Sequence, residues 1–168
     1  RKKGLELSIE PYDMNPAGDL DLGAVADIPM GEFWNNNVDT AYSVFEAASI
    51  AHVMGKPIVS TESFTSSGAL DAYPWSLKNQ GDWAFAAGVN RIVFHTYAHQ
   101  ALGDAYKPGM TMGPYGVHWH RNQTWWPMVP AYHRYLTRCS DLLRQGVTLS
   151  AVLYLTPEGA PHIFLPPP

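Results

Sequence analysis

The stretch TAYSVFEAASIAHVMGKPIVSTESF, residues 40–64, contains a complete helix-to-strand unit and decides the class of fold. Its first part, Thr40–Met54, is predicted to be a helix because apolar residues recur at three- and four-residue intervals. The residues of this apolar face are Ala41, Val44, Ala48 and Ala51. Gly55 is typical of a helix C-terminus. The apolar run Pro57–Thr61 then predicts a strand that leads directly into Glu62.

The same alternation of strands and helices extends along the rest of the chain. Further predicted strands are short apolar runs at Leu5–Ile9, Val25–Met30, Arg91–Phe94 and Leu149–Leu155. Further predicted helices are Trp75–Ala87 and Trp126–Gln145, and a long loop, Ala101–Thr124, lies between them and carries four glycines. Short apolar strands that alternate with helices of this length form parallel βαβ units, with both faces of the sheet covered.

Acidic residues follow the predicted strands, and they favour a barrel over an open sheet. Glu10, Glu32, Glu62 and Glu158 each come after an apolar run. In a barrel all strand C-terminal ends converge on one site, whereas in a doubly wound sheet only those at the switch point do. The strand pattern by itself also fits the doubly wound sheet.

We therefore predict an α/β chain of the (β/α)8 TIM-barrel type. A closed barrel of this type has about eight strands, and the sequence predicts about five. The expected architecture is a partial barrel or fragment of about five βα units with parallel strands. Residues 1–168 then form a single, partial catalytic barrel domain of a larger protein.

The composition excludes several classes of protein. The 168 residues are 46% hydrophobic and 15% charged, which is too apolar for a disordered chain. The net charge is −4 without a basic block, so neither a nucleic-acid backbone nor an anionic membrane is an expected partner. A transmembrane run of about 18 apolar residues is absent from the sequence. Glycine-rich phosphate loops and a Gly-x-Ser-x-Gly elbow are absent as well, which argues against nucleotide binding and serine catalysis.

Carboxylates at strand ends suit the cleavage of glycosidic bonds. One carboxyl group donates a proton to the leaving oxygen, and the other attacks or activates water. A single strand-end glutamate is as often a helix cap or a surface ion-pair partner, but four of them together favour a functional site. Trp34 and Trp119 lie between polar residues in predicted loops, where indoles can stack on the C–H faces of a sugar. Trp75 and Trp83 are predicted to fill the core instead.

Four histidines form a second group: His95, His99, His118 and His120. Recognition of substrate hydroxyls is one interpretation. A zinc site made by His95, His118 and His120 is the other. Hydroxyl recognition is favoured because cysteine and acidic residues are missing at metal-ligand spacing nearby. The carboxylate-rich mouth of a barrel is better suited to a hard cation such as Ca²⁺.

Nine motifs spread over nearly the whole chain carry a resemblance to a known family. They are IEPY (9–12), ADIPMGEFW (26–34), GKPIV (55–59), TESFT (61–65), GDWAFAAGVNR (81–91), FHTYAHQ (94–100), PGMTMGP (108–114), TWW (124–126) and LYLTPEG (153–159). These motifs resemble those of glycoside hydrolase family 106, which contains α-L-rhamnosidases. The resemblance implies an inverting, calcium-dependent bacterial glycosidase with a (β/α)8 catalytic domain inside a large multidomain enzyme. It implies hydrolysis of terminal rhamnose from glycans or glycosides.

The resemblance also implies roles for individual residues. Glu62 matches the general base that activates water, and Glu32 matches a calcium ligand. The substrate-binding candidates are Glu10, Trp34, His95, His99, His118 and Trp119. The general acid of the family lies on an earlier strand that this sequence lacks, so the chain is expected to be inactive in isolation.

The resemblance finally implies the setting of the site. The expected partners are a rhamnose-containing carbohydrate and the remaining domains of the parent enzyme, and the expected location is secreted or periplasmic. Two alternatives stay open: a non-catalytic carbohydrate-binding barrel fragment, and a zinc hydrolase that uses the three histidines.

Overall fold

The computed structural model describes residues 3–13, 16–35, 40–68, 70–157 and 159. Strands and helices alternate along these residues. In chain order they are β1 (Ser8–Ile9), α1 (Asp19–Val25), β2 (Ile28–Trp34), α2 (Ala41–Val53), β3 (Ser60–Thr65), α3 (Pro74–Ala86), β4 (Arg91–Phe94) and α4 (Val129–Leu143). Two single 3₁₀ turns, Asp104–Tyr106 and Trp126–Met128, lie between β4 and α4.

The described strands form one parallel sheet in the order β1-β2-β3-β4. Each strand pairs with its neighbour in sequence, and one helix lies in each connection between successive strands. The predicted α/β class with parallel strands is therefore confirmed. Every helix found in the described residues is too short or too polar to cross a membrane.

The predicted elements are largely present, but their boundaries differ near the strand ends. Helix α1 was missed, because its seven residues alternate acidic and apolar side chains over less than two turns. Strand β2 extends to Trp34 and β3 to Thr65, so Glu32 and Glu62 lie within strands and not after them. Helix α4 begins only at Val129, since two prolines shape the preceding 3₁₀ turn and the first turn of the helix.

The predicted strand Leu149–Leu155 is wrong, and this reduces the expected five βα units to four in the described residues. Its side chains are exposed to solvent, from 60% at Val152 to 99% at Leu155. A strand needs a neighbouring ladder to satisfy its backbone groups, and the described part of the sheet does not extend to this segment. Glu158, the fourth acidic residue of the sequence pattern, lies outside the described residues.

The core lies between one face of the sheet and helices α2, α3 and α4. Phe33 from β2 and Phe64 from β3 are completely buried and meet edge to face, with 5.0 Å between ring centroids. The helices contribute small and medium apolar side chains: Val44, Ala47, Ala48, Ala51, Leu77, Ala84, Val129, Tyr132 and Leu136. Alanines in α2 let the helix lie close to β2, which increases the dispersion contact.

The opposite face of the sheet carries Glu32 and Glu62. On β2 this face is covered, because Ile28 and Glu32 are only 5% and 8% exposed. Strand β4 alternates between exposed and half-buried side chains, and Val93, the register partner of Glu62, is 40% exposed. The expected covering of both faces is therefore present at β2 and incomplete at β4.

A β-bulge in β3 turns two side chains toward opposite faces. Phe33 pairs with Ser63, but Trp34 pairs with Thr65, so Phe64 is an additional residue. Its φ of 67° is rare for a bulky residue. The bulge directs Phe64 into the core and leaves Thr65 on the same side as Glu62. Bulges often re-aim side chains next to active sites.

Gly31 sets the distance between β2 and α2. A Cβ atom at this position would lie 2.4 Å from the carbonyl oxygen of Ser43. This contact is with backbone, so the helix as a whole would have to move.

We expect Gly31→Ala to destabilise the protein by about 1–3 kcal/mol, the usual cost of overpacking. Calorimetric unfolding of the full-length protein measures this. Gly18→Ala is the matched control, because its Cβ would meet the flexible side chain of Asp21 at 3.2 Å and the backbone oxygen of Gly159 at 3.5 Å, an ordinary van der Waals distance. Equal unfolding temperatures for the two variants would contradict the close approach of α2.

A second buried feature is the carboxyl group of Glu46 on α2. The side chain is completely buried, and its two oxygens have no hydrogen-bond partner within the described ranges. Burial, with smaller contributions from Asp19 and Asp13, raises the pKa of Glu46 from 4.5 to about 8. The folded protein therefore keeps a proton that the unfolded chain releases.

This raised pKa predicts a pH-dependent stability. The contribution of protonated Glu46 is fully present below about pH 4.5 and is lost as the pH rises through about 8. Glu46→Gln stays neutral, so its unfolding temperature should rise relative to that of the wild type between about pH 5 and pH 9. The exposed Glu6→Gln is the control. A difference between wild type and Glu46→Gln that does not change with pH would disprove the prediction.

Candidate active site

Three glutamates lie at the C-terminal ends of neighbouring parallel strands. Glu10 directly follows β1, while Glu32 and Glu62 belong to β2 and β3. Glu32 and Glu62 are register partners, so their side chains leave the same face of the sheet. Neighbouring strands are about 4.8 Å apart, which brings the two carboxylates into one small region.

The electrostatics of this region follow from burial and mutual repulsion. Partial burial, followed by repulsion from Glu62 and Glu32, raises the pKa of Glu10 from 4.5 to about 7. Partial burial also raises the pKa of Glu62, and repulsion from Glu32 adds to this. Such a group of carboxylates favours the arrival of a proton or a cation.

Glu62 has two polar neighbours that favour its ionised form. His95 Nε2 lies 3.9 Å from Glu62 Oε1, and the hydroxyl of Thr65 donates to the same oxygen over 3.5 Å. Both neighbours lower the pKa of Glu62 and so oppose the effect of burial. His95 Nε2 also lies 3.2 Å from the sulfur of Met112. The structure therefore brings His95, a predicted substrate-binding residue, directly to Glu62.

Glu32 is held from two sides. The hydroxyl of Tyr12 donates a hydrogen bond of 2.7 Å to Glu32 Oε2. The backbone N–H of Glu32 donates to Ser43 Oγ over 2.8 Å, which ties β2 to the start of α2. Burial and the bond to Glu32 raise the pKa of Tyr12 strongly, so the phenol remains a donor throughout the physiological range.

The donor atoms of the site fit a hard cation in chemistry. Glu10, Glu32 and Glu62 offer carboxylate oxygens, the ligands that Ca²⁺ prefers. The described residues do not assemble three or more acidic, histidine or cysteine side chains into a metal-binding group. A Ca²⁺ ion held by Glu32 would therefore have to complete its shell of six to eight oxygens with water, backbone or sugar oxygens.

Trp34, the last residue of β2, borders a polar pocket of about 410 Å³. Its indole meets Tyr115 edge to face at 6.1 Å. The rest of the lining is polar and includes Asn35, Ser66 and Asp71. An aromatic face beside amide, hydroxyl and carboxylate groups matches the mixed surface of a sugar ring.

His99 and His118 are not brought to the glutamates by any described contact. His99 is exposed, and its backbone pairs with Met110 in an isolated antiparallel bridge. His118 is buried, and its Nε2 lies 3.1 Å from the carbonyl oxygen of Gly113. The ring of His120 lies 6.0 Å from that of His118. The zinc triad is not assembled in the part of the chain that the structure describes.

The prediction that Trp119 contacts substrate is wrong, because Trp119 belongs to the core. It is 3% exposed and stacks on Phe94 with 4.4 Å between ring centroids. Its indole N–H donates to His133 Nε2 over 2.9 Å. The backbone N–H of Trp119 donates to the carbonyl oxygen of Thr96, so the segment that contains Trp119 lies beside the end of β4. Its indole is directed toward α4, to which His133 belongs.

Sequence reasoning missed the residues that support the glutamates. Tyr12 and Thr65 appeared only as members of the motifs IEPY and TESFT, without a role, and Ser43 was not recognised. The only sequence signal for Tyr12 is its spacing. Ile9, the last residue of β1, pairs with Pro29 of β2. Tyr12 lies three residues after Ile9 and Glu32 three residues after Pro29, so the two lie at equivalent positions along the neighbouring segments. This signal becomes useful only when the register is known.

Comparison with known proteins identifies relatives of this chain in both sequence and fold. The family model Glyco_hydro_106, described as alpha-L-rhamnosidase, matches residues 1–165. A protein from Formosa agariphila named "Putative beta-glucuronidase" is 40% identical over 161 residues, which cover 96% of this chain and 14% of that protein. The solved structure of a rhamnosidase from Novosphingobium sp. PP1Y superposes with a TM-score of 0.78 at 33% identity.

The structural match covers 87% of this chain and 15% of the Novosphingobium protein. The chain thus spans about one-seventh of the length of both relatives. Since the family model covers nearly every residue of the chain, and the fold superposes on a solved rhamnosidase structure at 33% identity, the chain belongs to glycoside hydrolase family 106.

Proposed function

We propose that this chain carries the base and the cation-binding side of an inverting, calcium-dependent α-L-rhamnosidase site. The observation that carries the proposal is the in-register pair Glu32 and Glu62 on adjacent parallel strands of a family 106 chain. The sequential strand order supports a (β/α)8 barrel, because consecutive parallel neighbours are what a barrel requires.

Glu62 acts as the general base in this proposal. Its carboxylate takes a proton from a water molecule while the water oxygen forms a bond to the anomeric carbon. The bond from that carbon to the leaving oxygen breaks, and a general acid donates a proton to the leaving oxygen. His95 and Thr65 support the role, because both favour the ionised form that a base requires.

Glu32 is the proposed anchor for calcium. The bond from Tyr12 to Oε2 and the bond from the Glu32 N–H to Ser43 hold the residue in place. A bound Ca²⁺ would supply positive charge and orient sugar hydroxyls. Burial and repulsion from Glu62 and Glu32 raise the pKa of Glu10 to about 7, and the protonated form can donate a hydrogen bond to a substrate oxygen.

The general acid is proposed to come from outside the described residues. In inverting enzymes the acid and base are about 6.5–9.5 Å apart, with water between them. Glu32 and Glu62 are direct register partners on adjacent strands, which suits a shared ligand better than that spacing. The remaining domains of the longer protein are the proposed source of the acid, and export of that protein is part of the same proposal.

A neutral sugar is favoured over a uronic acid. The Formosa agariphila relative is named for β-glucuronidase activity, which makes a glucuronide the second candidate substrate. A glucuronate carboxylate would meet repulsion from the ionised forms of Glu32 and Glu62, whereas rhamnose carries no charge. Assays of the full-length protein with aryl rhamnosides and aryl glucuronides compare the two.

We expect Glu62→Gln to lower the turnover of an aryl α-L-rhamnoside by about 10²–10⁴-fold, because an amide cannot accept the proton from water. The full-length protein is the sample, and NMR of the first product anomer tests inversion. Glu6→Gln is the matched control, since Glu6 is exposed and precedes β1.

Full turnover by Glu62→Gln would refute the role of Glu62 as base. The absence of glycosidase activity in the wild-type full-length protein, together with sugar binding, would favour the alternative of a non-catalytic carbohydrate-binding barrel.

Chelation is expected to abolish most activity, and Ca²⁺ should restore it. Glu32→Gln should raise the Ca²⁺ concentration for half-maximal activity by roughly tenfold or more, because one anionic ligand is lost. Calorimetric titration with Ca²⁺ measures the same change without substrate. Recovery of activity with Zn²⁺ but not with Ca²⁺ would contradict this proposal and favour the histidine-based alternative.

A further inference from the structure

We propose that Tyr12 is a positioning residue that selects which oxygen of Glu32 is presented to ligand. The inference rests on the proposed function of Glu32 and deepens it. Tyr12 is not assigned to touch the cation or the reacting atoms. Its effect is transmitted through the carboxylate of Glu32.

The first argument is the register of β1 and β2. Ile9 pairs with Pro29, so residues three positions further along each strand direction are Tyr12 and Glu32. The ladder of β1 covers only two residues, and the bond from Tyr12 to Glu32 extends the link between these two segments beyond it. At 2.7 Å, this bond is short enough to be a strong, charge-assisted hydrogen bond.

The second argument is that the ring of Tyr12 is itself held in place. It meets Tyr42 of α2 edge to face, with 6.5 Å between centroids and an interplanar angle of 89°. The hydroxyl of Tyr42 donates to Asp13 Oδ2 over 2.9 Å, which ties the same helix to the chain beside Tyr12. Pro11, which directly precedes Tyr12, is completely buried. The phenol therefore cannot follow the carboxylate if the carboxylate rotates.

The third argument is that the Tyr12 hydroxyl bonds to one of the two carboxylate oxygens of Glu32 and not to the other. Oε2 accepts the Tyr12 hydroxyl, and the backbone of Glu32 is tied to Ser43. The first bond restrains rotation of the carboxylate and the second fixes the backbone from which it extends, so we infer that Oε1 is the oxygen offered to ligand. Residues that orient a metal-binding side chain typically change metal affinity or activity by about 10–100-fold when they are removed.

The test begins with Tyr12→Phe, which removes only the hydroxyl. In the full-length protein we expect the Kd for Ca²⁺, measured by calorimetric titration without substrate, to rise by about 10–100-fold. The Ca²⁺ concentration for half-maximal activity on an aryl rhamnoside should rise by the same factor. The value of kcat at saturating Ca²⁺ should change much less. Tyr106→Phe is the control, because it also loses one tyrosine hydroxyl, from a ring that is 65% exposed and has no described contact with Tyr12 or Glu32.

A double-mutant cycle separates positioning from direct contact. Glu32→Asp shortens the side chain and withdraws the carboxylate from the Tyr12 hydroxyl, so adding Tyr12→Phe to it should have no further effect on Ca²⁺ half-saturation or KM. A further loss in the double variant would overturn the inference, since Tyr12 would then act without Glu32. Unchanged Ca²⁺ affinity and kinetics in Tyr12→Phe, or an equal loss in Tyr106→Phe, would overturn it as well.

Failure of the proposed function gives a different result. If Glu32→Asp and Glu32→Gln bind Ca²⁺ with wild-type affinity, Glu32 is not a calcium ligand. The cycle is then judged on KM for the glycoside: a Tyr12→Phe effect that vanishes with Glu32→Asp still supports positioning, and one that persists rejects it.

Discussion

The parallel pairing of β2 with β3 is the constraint on which the rest of the structure depends. Glu32 opposes Glu62 in this ladder, and a shift of one residue would turn every side chain of one strand to the other face. The same register places Phe33 and Gly31 on the core face of β2. At Gly31 the backbone of α2 is so close that there is no space for a Cβ atom. Packing of the core face therefore fixes the strand register, and the register in turn fixes where the carboxylates of Glu32 and Glu62 lie.

The site places like charges together, and the surrounding structure compensates for their repulsion. The raised pKa values of Glu10 and Glu62 express this repulsion together with partial burial. Tyr12 and Thr65 supply hydrogen-bond donors to Glu32 and Glu62. The bulge at Phe64 makes the second of these bonds possible, and the burial of its ring offsets the cost of its positive φ. A local backbone distortion at a functional site, supported by core packing, is a common arrangement.

Sequence patterns predicted the parts of the molecule that depend on neighbouring residues. The helix of residues 41–53 and strand β4 are local, and their periodicity or apolar run was sufficient to find them. Glu32 and Glu62 were selected because an acid at the end of an apolar strand is a local signal. Leu149–Leu155 and Trp119 were misassigned for the opposite reason, since a strand needs a neighbour and an indole is buried or exposed according to what folds against it.

The sequence by itself determined the α/β class, the parallel sheet, the family and the choice of the acidic residues, because these are carried by short-range periodicity and contiguous motifs. Only the tertiary structure decided that Tyr12 bonds to Glu32 and that Trp119 lies in the core. It also decided that His95 and Thr65 lie next to the carboxylate of Glu62. These contacts join residues brought together by strand register, a bulge and a loop that folds back along β4. Such contacts arise from the packing of distant segments, which the order of residues along the chain does not display.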